Sequence, residues 1–99
     1  MLKKRFFKTK AECEVAFELA PDAAEQVALV CEANGWDPIP MKKNRSGCFR
    51  TKMRFPKDSR IQFRYLVDRQ TWVNDDTADA HLPNEFGGTN SVIDTTPTS

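Results

Sequence analysis

Residues 60–68, RIQFRYLVD, set the period on which the chain is built. Ile61, Phe63, Tyr65 and Val67 alternate with Arg60, Gln62, Arg64 and Leu66. Successive side chains of an extended strand point to opposite faces. The alternation therefore marks a strand with one buried and one wet face. The same period recurs upstream. In CFRTKMRF (48–55), Phe49, Thr51, Met53 and Phe55 alternate with Arg50, Lys52 and Arg54. In CEVAFEL (13–19), Cys13, Val15, Phe17 and Leu19 alternate with Glu14, Ala16 and Glu18. In QVALVCE (26–32), Val27, Leu29 and Cys31 share one face. RFFK (5–8), TWV (71–73) and NSVID (90–94) read as shorter strands.

Turn residues separate these runs. APDAAEQ (20–26), NGWDPIP (34–40), KKNRSG (42–47) and PKDS (56–59) carry the Pro, Gly, Asn and Asp that stop strands and set turns. DAAEQVALVCEA (22–33) has the length of a short helix, but its β-branched centre favours a strand preceded by a helical turn. No βαβ alternation and no internal repeat is present. The expected fold is all-β: an immunoglobulin-like, early-set antiparallel sandwich of about seven strands. Residues 1–94 form its single domain, and 95–99 a flexible polar tail. Cys13, Val15, Phe17, Leu29, Cys31, Phe49, Met53, Phe63, Tyr65 and Val67 are its expected core, and the Arg and Lys residues of the later strands a solvated face.

Composition narrows the function. At 99 residues there is room for one core. Hydrophobic content of 39% with 29% charged residues fits a globular domain. A net charge of +1 gives no electrostatic case for nucleic acid or an anionic membrane. No apolar run approaches the roughly 18 residues of a membrane span. The basic start MLKKRFFKTKAECE has no apolar segment behind it, so it is not read as a secretory signal. Cys13, Cys31 and Cys48 are odd in number and match no zinc spacing, so buried free thiols and a cytoplasmic location are expected.

Catalytic signals are weak. His81 is the single histidine and sits in the loop-like DAHLPN (79–84). Asp75, Asp76 and Asp79 read as turn caps that accept backbone N–H groups. They have neither the facing geometry of a glycosidase pair nor an EF-hand spacing. FGG (86–88) lacks the Lys and the strand–helix context of a phosphate loop. Cys48, beside Arg50, is the nearest approach to a reactive thiol, without the electropositive setting one needs. The chain reads as non-enzymatic, with no cofactor and no metal.

The two tryptophans offer a different chemistry. A hexose has an apolar face of C–H groups and a rim of hydroxyls. An exposed indole covers that face at low entropic cost. Amide and long basic side chains then bond the rim. Trp36 lies in the turn NGWDP and Trp72 just beyond Asp68, where loops at one end of a sandwich can bring them together.

These elements, in order, resemble the family 48 carbohydrate-binding module. That family includes the glycogen-binding domain of the AMP-activated protein kinase β subunit. It is related to the early-set N-terminal domains of isoamylase, pullulanase and glycogen branching enzyme. The match spans roughly residues 26–94, through VALVCEANGWDPIPMKK, CFRTKMRF, IQFRYLVDRQTWVNDD and NEFGGTNSVI. The resemblance implies cofactor-free binding of α-1,4-linked glucans such as glycogen, starch or maltooligosaccharides. A glycogen-metabolism enzyme or kinase is the implied protein partner. It places the stacking tryptophans at Trp36 and Trp72, the hydroxyl-bonding lysine at Arg64, an inserting apolar residue at Phe86 and a glucan-bonding amide at Asn90. Arg64 brings a planar fork where the family has a point charge. Gly88 stands in place of a threonine, Phe86 in place of a leucine, and the loop before Trp72 is one residue longer. The alternative is an early-set domain that contacts a protein, with the tryptophans forming an apolar patch and no sugar binding of its own.

Overall fold

A computed structural model describes residues 2–7, 11–21, 24–84 and 87–96. Ten strands run along the described residues: β1 (Leu2–Phe6), β2 (Glu12–Leu19), β3 (Val27–Cys31), β4 (Ile39–Pro40), β5 (Lys42–Lys43), β6 (Phe49–Pro56), β7 (Arg60–Val67), β8 (Thr71–Val73), β9 (Ala80–Pro83) and β10 (Thr89–Asp94). They form two antiparallel sheets packed face to face, an all-β immunoglobulin-like sandwich. One sheet has the order β1-β2-β6-β5. The other has the order β4-β3-β7-β10-β9, with β8 also paired to β7. Among the described residues no helix is long and apolar enough to cross a membrane.

The alternating residues set the interior. Cys13, Val15 and Phe17 of β2 face Leu29 and Cys31 of β3 and Phe63 and Tyr65 of β7, all fully buried. Phe17 meets Phe63 across the sandwich edge to face, with centroids 5.2 Å apart, and Phe63 meets Tyr65 at 5.6 Å. Such edge-to-face pairs each add about 0.5–1.5 kcal/mol beyond area burial. Of the expected core, Phe49 is also buried, while Met53 and Val67 lie partly buried against it. On the outer face of the four-stranded sheet, Arg50 pairs with Glu18 at 3.0 Å and Arg54 with Glu14 at 3.7 Å. The arginines of these pairs are exposed and the glutamates half-buried, and each pair contributes about 0–1 kcal/mol.

Three strands were not expected from the pattern. β4 and β5 carry the chain from one sheet to the other. Ile39 pairs with Leu29, Lys43 pairs with Phe49, and buried Met41 between them donates its N–H to the Val27 carbonyl at 2.9 Å. β9 takes in His81, which therefore sits in a strand opposite Ser91 rather than in a loop. Among the described residues a helical turn, Glu32–Asn34, follows β3; the turn expected before the strand falls partly on residues 22 and 23, which lie outside the described residues.

Residue 95, expected to open the polar tail, is held in the fold. Thr95 is fully buried. Its hydroxyl donates to the Pro56 carbonyl at 2.7 Å and accepts the Ser59 N–H at 2.9 Å. Backbone bonds tie the β6–β7 turn to the same residue: the Asp58 N–H, at φ of 60°, donates to the Thr95 carbonyl at 3.2 Å, and the Thr95 N–H to the Ser59 carbonyl at 2.9 Å. Residues 97–99 lie outside the described residues. Cys13, Cys31 and Cys48 are free thiols, the first two buried and Cys48 half-buried.

Candidate functional site

β7 is the strand on which the site rests. Its inward residues belong to the core. Its outward residues, Gln62 and Arg64, form the floor of an open cleft of about 810 Å³ on the six-stranded sheet. Trp36, Trp72 and Asn90 line the same cleft, with Val30 beneath and Pro83, Asn84 and Gly88 along one side. Four of the five expected sugar-binding residues therefore meet there. Phe86 lies outside the described residues.

Trp72 is placed by a tight turn. Asp68 and Arg69 both have positive φ, 50° and 61°, and the Gln70 N–H closes the turn on the Val67 carbonyl at 3.1 Å. Two left-handed residues in succession make a type I′ turn, whose twist matches that of paired antiparallel strands. The Asp68 carboxylate fixes the turn to the start of β3, accepting the Glu25 and Gln26 N–H groups at 2.9 Å each. β8 then pairs Trp72 with Leu66, so the indole lands on the outward face, diagonal to Arg64. The Arg64 guanidinium lies 5.1 Å from the ring centroid, a cation–π contact. Trp72 keeps 47% of its surface exposed.

Trp36 arrives from the other side, past the helical turn after β3. Gly35 has φ of 73° and donates its N–H to the Glu32 carbonyl at 3.1 Å. Trp36 itself has φ of 66° and donates to the Cys31 carbonyl at 2.9 Å. The left-handed region suits Gly35, but a bulky residue there costs about 1–3 kcal/mol. The surrounding hydrogen bonds, including that from Asn34 Nδ2 to the Asp37 carbonyl at 3.1 Å, hold the strained residue in place. Its side chain is 41% exposed, so this strain presents an indole to solvent rather than filling the core.

The polar floor is a chain of carboxamides. The Gly88 N–H donates to Asn84 Oδ1 at 3.1 Å, Asn84 Nδ2 donates to Asn90 Oδ1 at 3.2 Å, and Asn90 Nδ2 donates to Gln62 Oε1 at 3.0 Å. The Asn84 N–H also bonds the Gly88 carbonyl at 2.9 Å, closing the loop between β9 and β10. Gln62 and Asn84 were not singled out from the sequence. For Gln62 the signal was there: it shares Arg64's parity in the alternating run. For Asn84 there was none, because only the loop closure aims it at Asn90.

A second polar network lies on the inner side. The Tyr65 hydroxyl donates to Asp75 Oδ2 at 2.7 Å, the Asp75 N–H to Ser91 Oγ at 2.9 Å, and Ser91 Oγ to Asn74 Oδ1 at 3.0 Å. Asp75 Oδ1 accepts the Thr77 N–H at 2.8 Å and its hydroxyl at 2.6 Å. The turn-capping role expected of Asp75 is present, but the residue is buried, only 2% exposed. Burial alone would raise its carboxyl. Hydrogen bonds, among them those from Thr77 and Tyr65, outweigh burial and hold it below the ordinary aspartate value. Burial first, then the bond to Asp75, pushes the Tyr65 hydroxyl far above the tyrosine range. Asp79, by contrast, is a surface group that pairs with Lys4 and accepts the Asp94 N–H at 2.7 Å.

Ser91, His81 and Asp75 are the residue types of a nucleophilic triad, and they meet in this network. Their bonding differs from one. His81 Nε2 bonds the backbone carbonyl of Asp75 at 2.9 Å, and the fully buried Ser91 hydroxyl is given to Asn74 instead of to an imidazole. Burial also raises the Cys13 and Cys31 thiols, away from the reactive thiolate. Among the described residues no group of three His, Cys, Asp or Glu side chains is arranged to hold a metal ion.

Sandwiches of this type also occur as parts of larger proteins, and solved structures show one such case. The enterobactin esterase of Shigella flexneri, crystallised in the presence of 2,3-dihydroxy-N-benzoyl-serine, matches 98% of this chain with a TM-score of 0.74 and 8% identity. The ferric enterobactin esterase of Salmonella typhimurium matches 98% of it with a TM-score of 0.76 and 9% identity. The chain spans only 33% and 35% of those two proteins. At this identity the likeness is one of fold. No family model matches the chain, and no curated protein sequence does.

Proposed function

We propose that the cleft binds α-1,4-linked glucans, without catalysis, by stacking hexose rings on Trp36 and Trp72. One observation carries the reading: the two exposed indoles line a single open cleft whose floor holds the Arg64 guanidinium and the Asn90 carboxamide. The rings cover the C–H faces of the sugar, and the N–H groups of Arg64, Gln62 and Asn90 bond its oxygens. The cleft is open and shallow, so the expected affinity is tens of micromolar to millimolar, or about −4 to −6 kcal/mol. The test is a maltoheptaose titration followed by tryptophan fluorescence and backbone amide shifts. Shifts confined to Trp36, Trp72 and Asn90, and lost in Trp72→Ala, support the reading. An unchanged spectrum at about 5 mM sugar, above the weakest affinity expected here, sinks it.

A second reading is favoured by the fold likeness. Nearly the whole chain superposes on about a third of an esterase, which is how a domain appended to a hydrolase looks. In that reading the tryptophans contact a hydrolase domain or its ligand instead of polysaccharide. The same titration with 2,3-dihydroxy-N-benzoyl-serine separates the two. Shifts in the cleft with that compound and none with maltoheptaose favour the hydrolase-associated role.

A further inference from the structure

We infer that the cleft prefers saccharides carrying an anionic oxygen, a carboxylate or a phosphate ester, over neutral ones. The inference rests on the glucan-binding reading above and adds the ligand's charge.

The first observation is charge. Among the described residues that line the cleft, Arg64 is the only ionised side chain and none is a carboxylate. Glu32, close in sequence to Trp36, is not part of the lining and gives its carboxylate to the Gln62 backbone N–H at 2.9 Å. The ion pairs among the described residues lie on the other sheet and near its edge, at Glu14, Glu18 and Asp79. None reaches Arg64. Among the described residues its guanidinium meets the indole face of Trp72, and its buried Nε has no hydrogen-bond partner.

The second observation is hydrogen-bond polarity. The side-chain oxygens of Gln62, Asn84 and Asn90 each already accept a bond, from Asn90, Gly88 and Asn84 respectively. The chain of carboxamides therefore runs in one direction and ends on Gln62 Nε2, which has no acceptor among the described residues. Arg64 is a pure donor. The cleft thus offers N–H groups on two neighbouring positions of one strand face, while each of its three carboxamide oxygens already has one of its two acceptor sites filled. A hydroxyl satisfies such donors but brings a proton that needs an acceptor of its own. A carboxylate or phosphate oxygen brings none, and its charge answers that of Arg64. Charge-assisted bonds of this kind are about twice as strong as neutral ones.

The experiment compares three probes on the wild-type chain by calorimetry and amide shifts, at low and high salt. They are maltoheptaose, a maltooligosaccharide oxidised to carboxylates at C6, and a maltooligosaccharide phosphorylated at C6. The expected result is that at least one acidic probe binds about tenfold tighter than maltoheptaose. That advantage shrinks as salt rises, falls to about one in Arg64→Gln, and is retained in part by Arg64→Lys. The two acidic arms tell a carboxylate site from a phosphate site. A purely structural Arg64 would weaken all probes equally and leave the ratio unchanged. Equal affinity for neutral and acidic probes overturns the inference while leaving glucan binding standing. Binding of none of the three removes both.

Discussion

Tyr65→Phe removes one oxygen atom from the centre of the molecule, and its cost can be worked out from the surroundings. The ring is fully buried and packs edge to face on Phe63 at 5.6 Å; phenylalanine keeps that contact. What is lost is the 2.7 Å bond to the Asp75 carboxylate. Thr77 still bonds the other carboxylate oxygen at 2.8 and 2.6 Å, so the charge is not stranded. A hydrogen bond to a charged group contributes about 1.5–3 kcal/mol, and we expect a loss of about 2 kcal/mol at pH 7. For a domain of this size that lowers Tm by roughly 8–16 °C. The loss also depends on pH. The Asp75 carboxyl is held below its ordinary value of 3.8, so its ionised form stabilises the fold above that pH. That stabilisation disappears as pH falls through the lower, folded-state value. The gap between wild type and Tyr65→Phe should therefore narrow below pH 3.8. In an Asp75→Asn background the same substitution should cost about 1 kcal/mol, the neutral-bond value. Urea unfolding across pH measures all of this. A loss under about 0.5 kcal/mol at pH 7, within the range of an ordinary surface change, refutes the reasoning, as does a gap that widens as the pH falls.

Thr95→Val keeps the shape of a buried side chain but strips the hydroxyl that serves Pro56 and Ser59. Chemical denaturation should show a loss of about 1–3 kcal/mol, and a neutral result would mean water replaces it. Gly35→Ala has open space for the added methyl but φ of 73°, so the cost is backbone strain of about 1–2 kcal/mol. An unchanged or raised urea midpoint would count against the left-handed geometry before Trp36. A thiol reagent in native buffer should modify Cys48 and spare Cys13 and Cys31 until the chain is unfolded. Rapid native labelling of all three would contradict the buried placement.

The strands that face the core on one side only were legible, because burial of one face imposes the two-residue period on the sequence. β2, β6 and β7 show it along their whole length. β4 and β5, of two residues each, are too short to carry a period; the crossing at Met41 creates them. β9 is mostly exposed, so AHLP shows no alternation, and His81 read as loop. Thr95 looked like tail because its burial depends on a corner nearly forty residues upstream in the chain. In the cleft, Trp36, Arg64, Trp72 and Asn90 lie along one opening. Gln62 followed from parity alone. Asn84 did not, since its role comes from a hydrogen bond within its own loop.

β7 divides its labour residue by residue. Odd-numbered positions weld the two sheets; even-numbered ones, two rungs along the same ribbon, furnish the recess. Replacing Gln62 or Arg64 therefore leaves the aromatic interior untouched, so specificity at this surface is free to drift without endangering the scaffold. A shift of the ribbon by a single rung does the opposite: it carries a guanidinium inward and two rings outward at once. Rim and interior thus assemble together or not at all, and a partly folded chain has no recess to offer.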